Sequence, residues 1–525
     1  MSTRQLQISY AEYRDKVLGG WLGKSLGGVV GAPLENHKQW NRLTLATLWP
    51  NKLMPNDDLD IQIVWLEAMQ ESGIHLTSRD LAEYWQDRCW YNFCEYGFFL
   101  YNVQRGIAPP LSGTWNNDFF RESEGCPIRS EIWGLVAPGD PELAAELARQ
   151  DGQLDHGGVS VQIEQFNAAA VAQALVTDSL DRALEAALSV VPADGIVAAS
   201  VPRVRRICRQ YPDPCRAWRL VLREYGDRDA SKAITNHALV LMALFLGELD
   251  FKKTMLLCVN SGWDTDCTAA TAGALLGTLG GTSSLPADWI EKLGKNLFCA
   301  IAVKHKDAAL TELADDTCRI GLEMAALRNR RVELTGAPEI TVRPAPAPAV
   351  SIAVEYPQEP VLWNARPTSV RLVVENPTDA SSRGALVLAA CAGTRHDMPE
   401  TSLAVPAHGR QEVVVNIRRD ERGGWLPDKN LFEARWMEGG RERAWRQFGL
   451  GGARQWLVYG PYWDMWDKTR HRSAPIITTA LSVSRAAAIP TINTPGWTRL
   501  TWTRRACCGR TFRKKTPCSW SVART

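Results

Sequence analysis

The segment "GGWLGKSLGGVVGAPLE" contains four glycines spaced four residues apart, at Gly19, Gly23, Gly27 and Gly31. On an α-helix this spacing places them in one stripe that has no side chains. Glycine inside a helix costs up to about 1 kcal/mol relative to alanine, so four of them need a compensating contact. We therefore predict a tightly packed core helix whose glycines allow another helix to approach closely.

Apolar residues recur at three- and four-residue intervals from residue 8 to about 332, which predicts a series of packed helices. A proline-rich stretch follows, "TGAPEITVRPAPAPAVSIAVEYPQEP", and after it come alternating segments such as "TSVRLVVENP". These patterns predict a linker and a small antiparallel β-sandwich. We divide the chain into a helical domain (1–332), a linker (333–360), an immunoglobulin-like β-sandwich (361–468) and a basic tail (469–525).

The 525 residues are 45% hydrophobic and 22% charged, which is typical of a soluble globular protein. No apolar run is long enough to cross a membrane, and the N-terminal segment has no signal-peptide core. Thirteen cysteines without a zinc-ligand spacing favour reduced thiols in a cytoplasmic protein. We therefore expect a cytoplasmic location and no membrane partner.

The net charge of +2 conceals a basic C-terminal end. Residues 470–525 contain eleven lysines and arginines and no acidic residue, so the rest of the chain is acidic. This distribution does not indicate a nucleic-acid-binding surface in the main body of the chain. For the tail we favour disorder, or a frameshifted end of the gene, over a basic interaction segment.

Two stretches place acidic residues at the start of a helix. "MPNDDLDIQIVWLEAM" contains Asn56, Asp57 and Asp58, and "SGWDTDCTAATAGALLG" contains Asp264 and Asp266. Each alone is explained by helix capping and the helix dipole. If the two starts meet, four buried carboxylates need compensating protons or cations. Two divalent cations would balance them, and oxygen ligands favour Mg²⁺ or Mn²⁺.

The motifs "GAPLE", "NDDLD" and "GWDTDCTAATAGALLG" resemble those of the ADP-ribosylglycohydrolase family, of the dinitrogenase-reductase-activating glycohydrolase type, over residues of about 10–325. The resemblance implies an all-α orthogonal helical bundle with a binuclear Mg²⁺ or Mn²⁺ centre. It also implies hydrolysis of a glycosidic bond to a ribose-like or other sugar.

The resemblance also implies roles for particular residues. The expected metal ligands are Asn56, Asp57, Asp58, Asp264, Asp266, Cys267 and Thr268. The expected catalytic residues are Glu35 and Asp58. The expected substrate-binding residues are Arg129, Asp155 and His156.

The sequence departs from the family pattern at several of these positions. Asn56 and Cys267 stand where the family has threonine, Gly28 where it often has aspartate, and Glu124 where it has asparagine. A thiol is a poor ligand for Mg²⁺. The second metal is therefore lost, bound more weakly, or bound through Thr268 instead.

We expect metal-assisted hydrolysis of an N- or O-glycosidic bond through an oxocarbenium-like transition state, with Glu35 or a metal-linked carboxylate as general base. The expected substrate is a small-molecule or protein-linked ADP-ribosyl group or glycoside. Two alternatives stay open. One is a glycosidase for a nucleoside or glycan without ADP-ribose, and the other is an inactive relative that binds a ligand. In a third reading, both acidic starts are caps that never meet.

Overall fold

The computed structural model describes most of the chain from residue 6 to residue 452. The described residues are 6–55, 57–294, 297, 299–301, 303–305, 308–329, 331–363, 366–399, 401–420, 427–452, 456–459 and 480–483. The predicted ligand Asn56 lies outside these residues. So does the predicted tail, 469–525, apart from residues 480–483.

The described part of the chain between residues 10 and 327 is helical. Its α-helices are α1 (Tyr10–Gly31), α2 (Leu45–Leu48), α3 (Asp57–Ser72), α4 (Ser78–Arg88), α5 (Cys94–Gln104), α6 (Leu111–Thr114), α7 (Glu131–Leu135), α8 (Pro141–Gly152), α9 (Val159–Ala174), α10 (Leu180–Leu188), α11 (Ile196–Gln210), α12 (Pro214–Tyr225), α13 (Ala233–Gly247), α14 (Phe251–Ser261), α15 (Thr265–Gly280), α16 (Ala287–Leu293) and α17 (Leu310–Leu327). Short 3-10 turns occupy Ala32–Leu34, Pro127–Arg129 and Thr282–Ser284.

Helix α1 lies in the centre of this bundle, where most of its residues are buried. Its glycine stripe packs directly on the backbone of α15. A Cβ atom at Gly23 would lie 2.1 Å from the carbonyl oxygen of Gly273, and one at Gly27 would lie 2.1 Å from that of Ala269. The two helices are therefore in backbone contact, which confirms the close helix approach predicted from the glycine spacing.

Helices α9, α13 and α15 are buried on nearly all sides, and most of their residues are accordingly apolar or small. Helix α12 shows the opposite case, because only Ala217 and Val221 are buried, one turn apart on one face. The periodicity of the sequence thus separates central helices from those at the surface.

A parallel pair of strands connects the two ends of the helical region. Strand β1 (Leu6–Ser9) pairs with β2 (Val332–Thr335), with Leu6 opposite Val332. Neither strand was expected from the sequence. Strand β2 begins one residue before the predicted linker (333–360), and the following strand β3 (Ser351–Glu355) lies within it. The predicted linker therefore contains regular structure. The domain boundaries stay a prediction.

The C-terminal region consists of strands. These are β3 (Ser351–Glu355), β4 (Val361–Leu362), β5 (Thr368–Asn376), β6 (Ser382–Ala389), β7 (Thr394–His396), β8 (Thr401–Val405), β9 (Gly409–Arg419), β10 (Asn430–Glu438), β11 (Arg441–Gly452), β12 (Trp456–Tyr459) and β13 (Ala480–Val483). One sheet has the order β4-β11-β10-β6-β8 and another has the order β3-β5-β9-β7. Strand β12 pairs with β13.

The two larger sheets pack face to face around one core. Alternate residues of β10, namely Phe432, Ala434 and Trp436, are buried, as the period of a strand requires. They share a cluster with Leu372 and Val415 of the other sheet. The pairing within both sheets is antiparallel except between β4 and β11. The predicted fold class, a helical bundle followed by a small antiparallel β-sandwich, is confirmed.

The sandwich contacts the helical domain at the end of α5. The backbone N–H of Gly449 donates to the carbonyl of Gly106 at 3.0 Å, and the Tyr101 hydroxyl donates to Asp428 at 2.6 Å. Arg105 forms an ion pair with the same Asp428. None of the helices in the described chain combines the length and apolar character that crossing a membrane requires.

We predict that Gly27→Ala lowers the free energy of unfolding by about 3 kcal/mol or more, because the new methyl group would force α1 and α15 apart. Chemical denaturation measures the change. As a control, Ala186→Ser adds one atom at a half-buried position of α10 and should change stability by less than about 0.5 kcal/mol. Equal effects of both substitutions would contradict the close contact.

Candidate metal centre

The two acidic helix starts predicted from the sequence meet in the structure. Asp58 lies in the first turn of α3, Asp264 directly precedes α15, and Asp266 lies in the first turn of α15. Ligand atoms of Asp58, Asp266 and Cys267 all lie within 4.8 Å of one another. The same holds for Glu35, Asp264 and Asp266. The reading in which the acidic starts never meet is therefore wrong.

The backbone contact between α1 and α15 accounts for the meeting of Glu35 with the late aspartates. A Cβ atom at Gly31, the last residue of α1, would lie 2.3 Å from the carbonyl oxygen of Thr265. The Thr265 hydroxyl in turn donates to the Gly31 carbonyl at 2.7 Å. The end of α1 and the start of α15 are thus joined directly, and Glu35 follows four residues later.

A strained turn completes this connection. Gly262 and Trp263 have positive φ values of 70° and 63°, and Asn36 on the facing loop has a φ of 65°. The Asn36 N–H donates to the Trp263 carbonyl at 2.8 Å. A positive φ is costly for a residue as bulky as tryptophan, and such strain is concentrated at functional sites. The turn at Gly262 and Trp263 fixes the direction in which Asp264 enters the site.

Asp264 occupies the N-cap position of α15, but its side chain forms no capping hydrogen bond. Other N-cap aspartates of this chain behave as caps: Asp140, Asp213 and Asp250 each accept from a backbone N–H of the first turn. Capping therefore does not explain the position of the Asp264 carboxylate. Its carboxylate belongs to the acidic cluster instead.

Burial and mutual repulsion make these carboxyl groups hard to ionise. Burial, reinforced by the nearby Asp266 carboxylate, raises the pKa of Asp57 to about 7. Burial also raises the pKa of Asp58 well above its usual range, against the opposing effect of Lys24. The pKa of Asp264 is raised by burial and then by Asp266 and Glu35. A cation in this cluster would relieve the repulsion.

The sequence analysis did not identify Lys24 or Glu131 as part of this site. The Lys24 ammonium is fully buried and lies 3.1 Å from Glu131 and 3.8 Å from Asp58. Gln62 donates to the same Glu131 oxygen at 2.9 Å. Burial lowers the pKa of Lys24, but Glu131 and Asp58 outweigh it, so the net shift is upward. The presence of a lysine within a buried glycine-rich helix was the sequence signal that could have identified Lys24.

Glu95 and Glu124 are two further buried acids beside the cluster. Burial, followed by repulsion from Asp58, raises the pKa of Glu124 well above its usual range. Glu95 contributes to the raised pKa of both Asp57 and Glu124, which places it on the same side of the site. Glu124 was visible in the sequence as a departure from the family motif, whereas Glu95 carried no signal.

The predicted substrate-binding residues form a buried network beside the cluster. The Arg129 guanidinium donates twice to Asp155, at 2.9 and 2.6 Å, and once to Asp151 at 2.9 Å. His156 Nδ1 lies 2.8 Å from Asp155, and its Nε2 lies 3.5 Å from Glu95. Arg129, Asp155 and His156 are each 0% exposed. The network therefore reaches the acidic cluster through His156 and Glu95.

The two residues after Asp266 point in different directions. The Cys267 thiol donates to Asp58 Oδ1 at 3.4 Å, so it lies within the cluster. The Thr268 hydroxyl donates to the Thr265 carbonyl at 3.3 Å in its own helix. Glu35 and Asp57 are only half-buried.

The donor atoms of the cluster fit a hard divalent cation on one side better than on the other. Glu35, Asp264 and Asp266 offer carboxylate oxygens only, which suits Mg²⁺ or Mn²⁺. The triad of Asp58, Asp266 and Cys267 includes a sulfur, which these ions bind poorly. The cluster can therefore accept a cation, with its better donor set next to Glu35.

We predict that His156 makes stability depend on pH above neutrality. Burial opposes the charged ring, but Asp155 and Glu95 raise the pKa of His156 to about 8, above the unfolded value of about 6.5. Its contribution is fully present below pH 6.5 and is lost as the pH rises through 8. Between pH 6 and 9, urea unfolding should show wild type losing about 1–2 kcal/mol more than His156→Gln.

The exposed Gln411 provides the control for this measurement, since Gln411→Asn changes no titratable group and should follow the wild-type pH dependence. Parallel loss of stability in wild type and His156→Gln would show that the His156 ion pairs do not favour the charged ring.

Comparison with known proteins assigns the helical part of the chain to a family. The sequence profile of the ADP-ribosylglycohydrolase family matches residues 9–330, which is more than half of the chain. A search of curated proteins found no match. Among solved structures, one described as an "ADP-ribosylglycohydrolase-related protein complex" is 21% identical, with a TM-score of 0.42, over 59% of this chain and 98% of that chain. The extent of the profile match shows that the chain belongs to the ADP-ribosylglycohydrolase family.

Proposed function

We propose that this protein is a metal-dependent glycohydrolase that cleaves the N- or O-glycosidic bond of an ADP-ribosyl group or a related glycoside. Family membership supports a glycohydrolase. The observation that supports metal dependence is the convergence of Glu35, Asp58, Asp264 and Asp266, in which Asp264 starts a helix without capping it. Buried carboxylates brought together in this way need protons or a cation to balance their charge, and a cation allows all of them to ionise.

In this proposal Glu35, Asp264 and Asp266 hold one Mg²⁺ or Mn²⁺ ion. The second position implied by the family resemblance corresponds to Asp57, Asp58 and Cys267, with Asn56 before them in sequence. When bound, a divalent cation orients sugar hydroxyls and lowers the pKa of a bound water. Asp264 and Asp266 are buried, so their role is to fix the position of the ion.

Glu35 is also the proposed general base, through the carboxylate oxygen that does not hold the ion. It is half-buried, follows the end of α1 and faces solvent from the edge of the cluster, where it can accept a proton from an attacking water. Because Arg129 and Asp155 are fully buried and bonded to each other, we propose them as positioning residues for His156. His156 in turn orients Glu95 on the side of the site nearest Asp57.

Glu124 favours a second candidate substrate class. It places a buried carboxyl group beside Asp58, at a position where the family motif has a neutral asparagine. An ionised Glu124 repels the diphosphate of ADP-ribose, and its neutral form, which burial and Asp58 favour, can donate a hydrogen bond to a sugar hydroxyl. A nucleoside or glycan without a diphosphate is therefore the alternative substrate.

We predict that removal of divalent cations with a chelator abolishes hydrolysis and that Mn²⁺ or Mg²⁺ restores it. Asp264→Asn should weaken Mn²⁺ binding and lower kcat/KM by about 100-fold or more, because even groups behind a ligand contribute 10–100-fold. Release of free sugar from ADP-ribosylated peptides, nucleosides and aryl glycosides measures activity and separates the two substrate classes.

Asp250→Asn is the matched control, because Asp250 starts the neighbouring helix α14 and its carboxylate caps Lys253 N–H at 2.7 Å. This variant should retain wild-type metal binding and activity. A wild-type protein that binds neither Mn²⁺ nor Mg²⁺ and cleaves none of these substrates would overturn the proposal and favour an inactive relative that binds a ligand.

A further inference from the structure

We infer that the Lys24 ammonium supplies the positive charge of one of the two cation positions, so that this chain binds a single divalent ion. The inference rests on the proposed metal-dependent function and concerns the number and place of the ions. It assigns Lys24 as a positioning residue for Asp58, and it leaves Glu35, Asp264 and Asp266 as the ligands of the one ion.

Both oxygens of Asp58 already face groups of the protein itself. Oδ2 lies 3.8 Å from the Lys24 ammonium, and Oδ1 accepts from the Cys267 thiol at 3.4 Å. The side chains of Lys24 and Asp58 are both 0% exposed, so no water screens the attraction between them. A divalent ion bound to Asp58 would have to lie close to this buried ammonium, which would repel it.

Lys24 is fixed in this position from its other side. Its ammonium lies 3.1 Å from Glu131, and Gln62 holds that carboxylate through a hydrogen bond of 2.9 Å. The amide oxygen of Gln62 accepts from the Ile132 N–H at 2.8 Å, which ties the arrangement to the backbone of α7. An incoming ion could not displace the ammonium without leaving Glu131 buried and without its counterion.

The sequence of α1 departs from the family pattern one turn after Lys24. Lys24 and Gly28 are one turn apart on the same face of the helix. Gly28 stands where the resemblance often has aspartate. Loss of this carboxylate leaves one fewer anionic ligand for a second ion beside the Lys24 ammonium.

The remaining donors indicate where the one ion binds. Glu35, Asp264 and Asp266 offer three carboxylates within 4.8 Å of one another, and this group of possible ligands contains no sulfur. Hard divalent ions prefer such ligands. Asp266 belongs to both groups of possible ligands. On its other side we therefore infer that it faces the Lys24–Asp58 pair and not a second ion.

The test is the Mn²⁺ content of the full-length protein, measured by elemental analysis and by electron paramagnetic resonance. We expect one Mn²⁺ per chain in wild type, with the spectrum of an isolated ion. Lys24→Met should raise the content to two, with the broadened spectrum of a coupled pair. Lys16→Met is the control, because Lys16 is a second buried lysine of α1 that bonds only backbone carbonyls, of Ala174, Thr177 and Leu279.

The outcomes separate this inference from the proposed function. Two coupled Mn²⁺ ions in wild type, or one ion in a folded Lys24→Met, would overturn the inference and leave the metal-dependent function in place. No bound Mn²⁺ in wild type would overturn both. If Lys24→Met does not fold, Asp58→Asn decides: wild-type Mn²⁺ affinity within about 3-fold supports the inference, and a loss of 10-fold or more refutes it.

Discussion

The backbone contact between α1 and α15 is the constraint on which the rest of the structure depends. Glycines on both helices leave no room for a side chain between them, so the two helices can pack against each other in only one register. That register places the end of α1 against the start of α15, where Thr265 bonds to Gly31. Acidic residues follow the end of α1 and lie at the start of α15. The same contact that builds the core therefore also assembles the site.

The cost of this assembly is electrostatic. Asp58 and Asp264 are buried beside other acids, and both have raised pKa values because burial and repulsion oppose their ionisation. The protein compensates in part with the Lys24 ammonium, which opposes the upward shift of the Asp58 pKa. The Arg129–Asp155 pair applies the same principle on the neighbouring side, where His156 completes the charge balance near Glu95.

The sequence predicted those features that repeat locally. Helical periodicity, strand alternation and the four-residue glycine spacing predicted the two-part fold, because each reflects burial of one face of one element. The acidic pairs were recognised through motifs around Asp58 and Asp264. Strand β2 was missed because it pairs with β1, more than 300 residues earlier in the chain, and nothing in its own segment indicates that partner.

The sequence analysis missed two residues of the site for the same reason, namely that their partners are distant in the chain. Lys24 and Glu131 come from helices more than 100 residues apart, and each alone resembles an ordinary helix residue. Only their packing makes them a buried pair beside Asp58. Buried charges of one sign destabilise the fold until a counterion is present. Binding of a cation should therefore stabilise the folded protein as well as enable chemistry, since an ion that binds only the native state shifts the folding equilibrium.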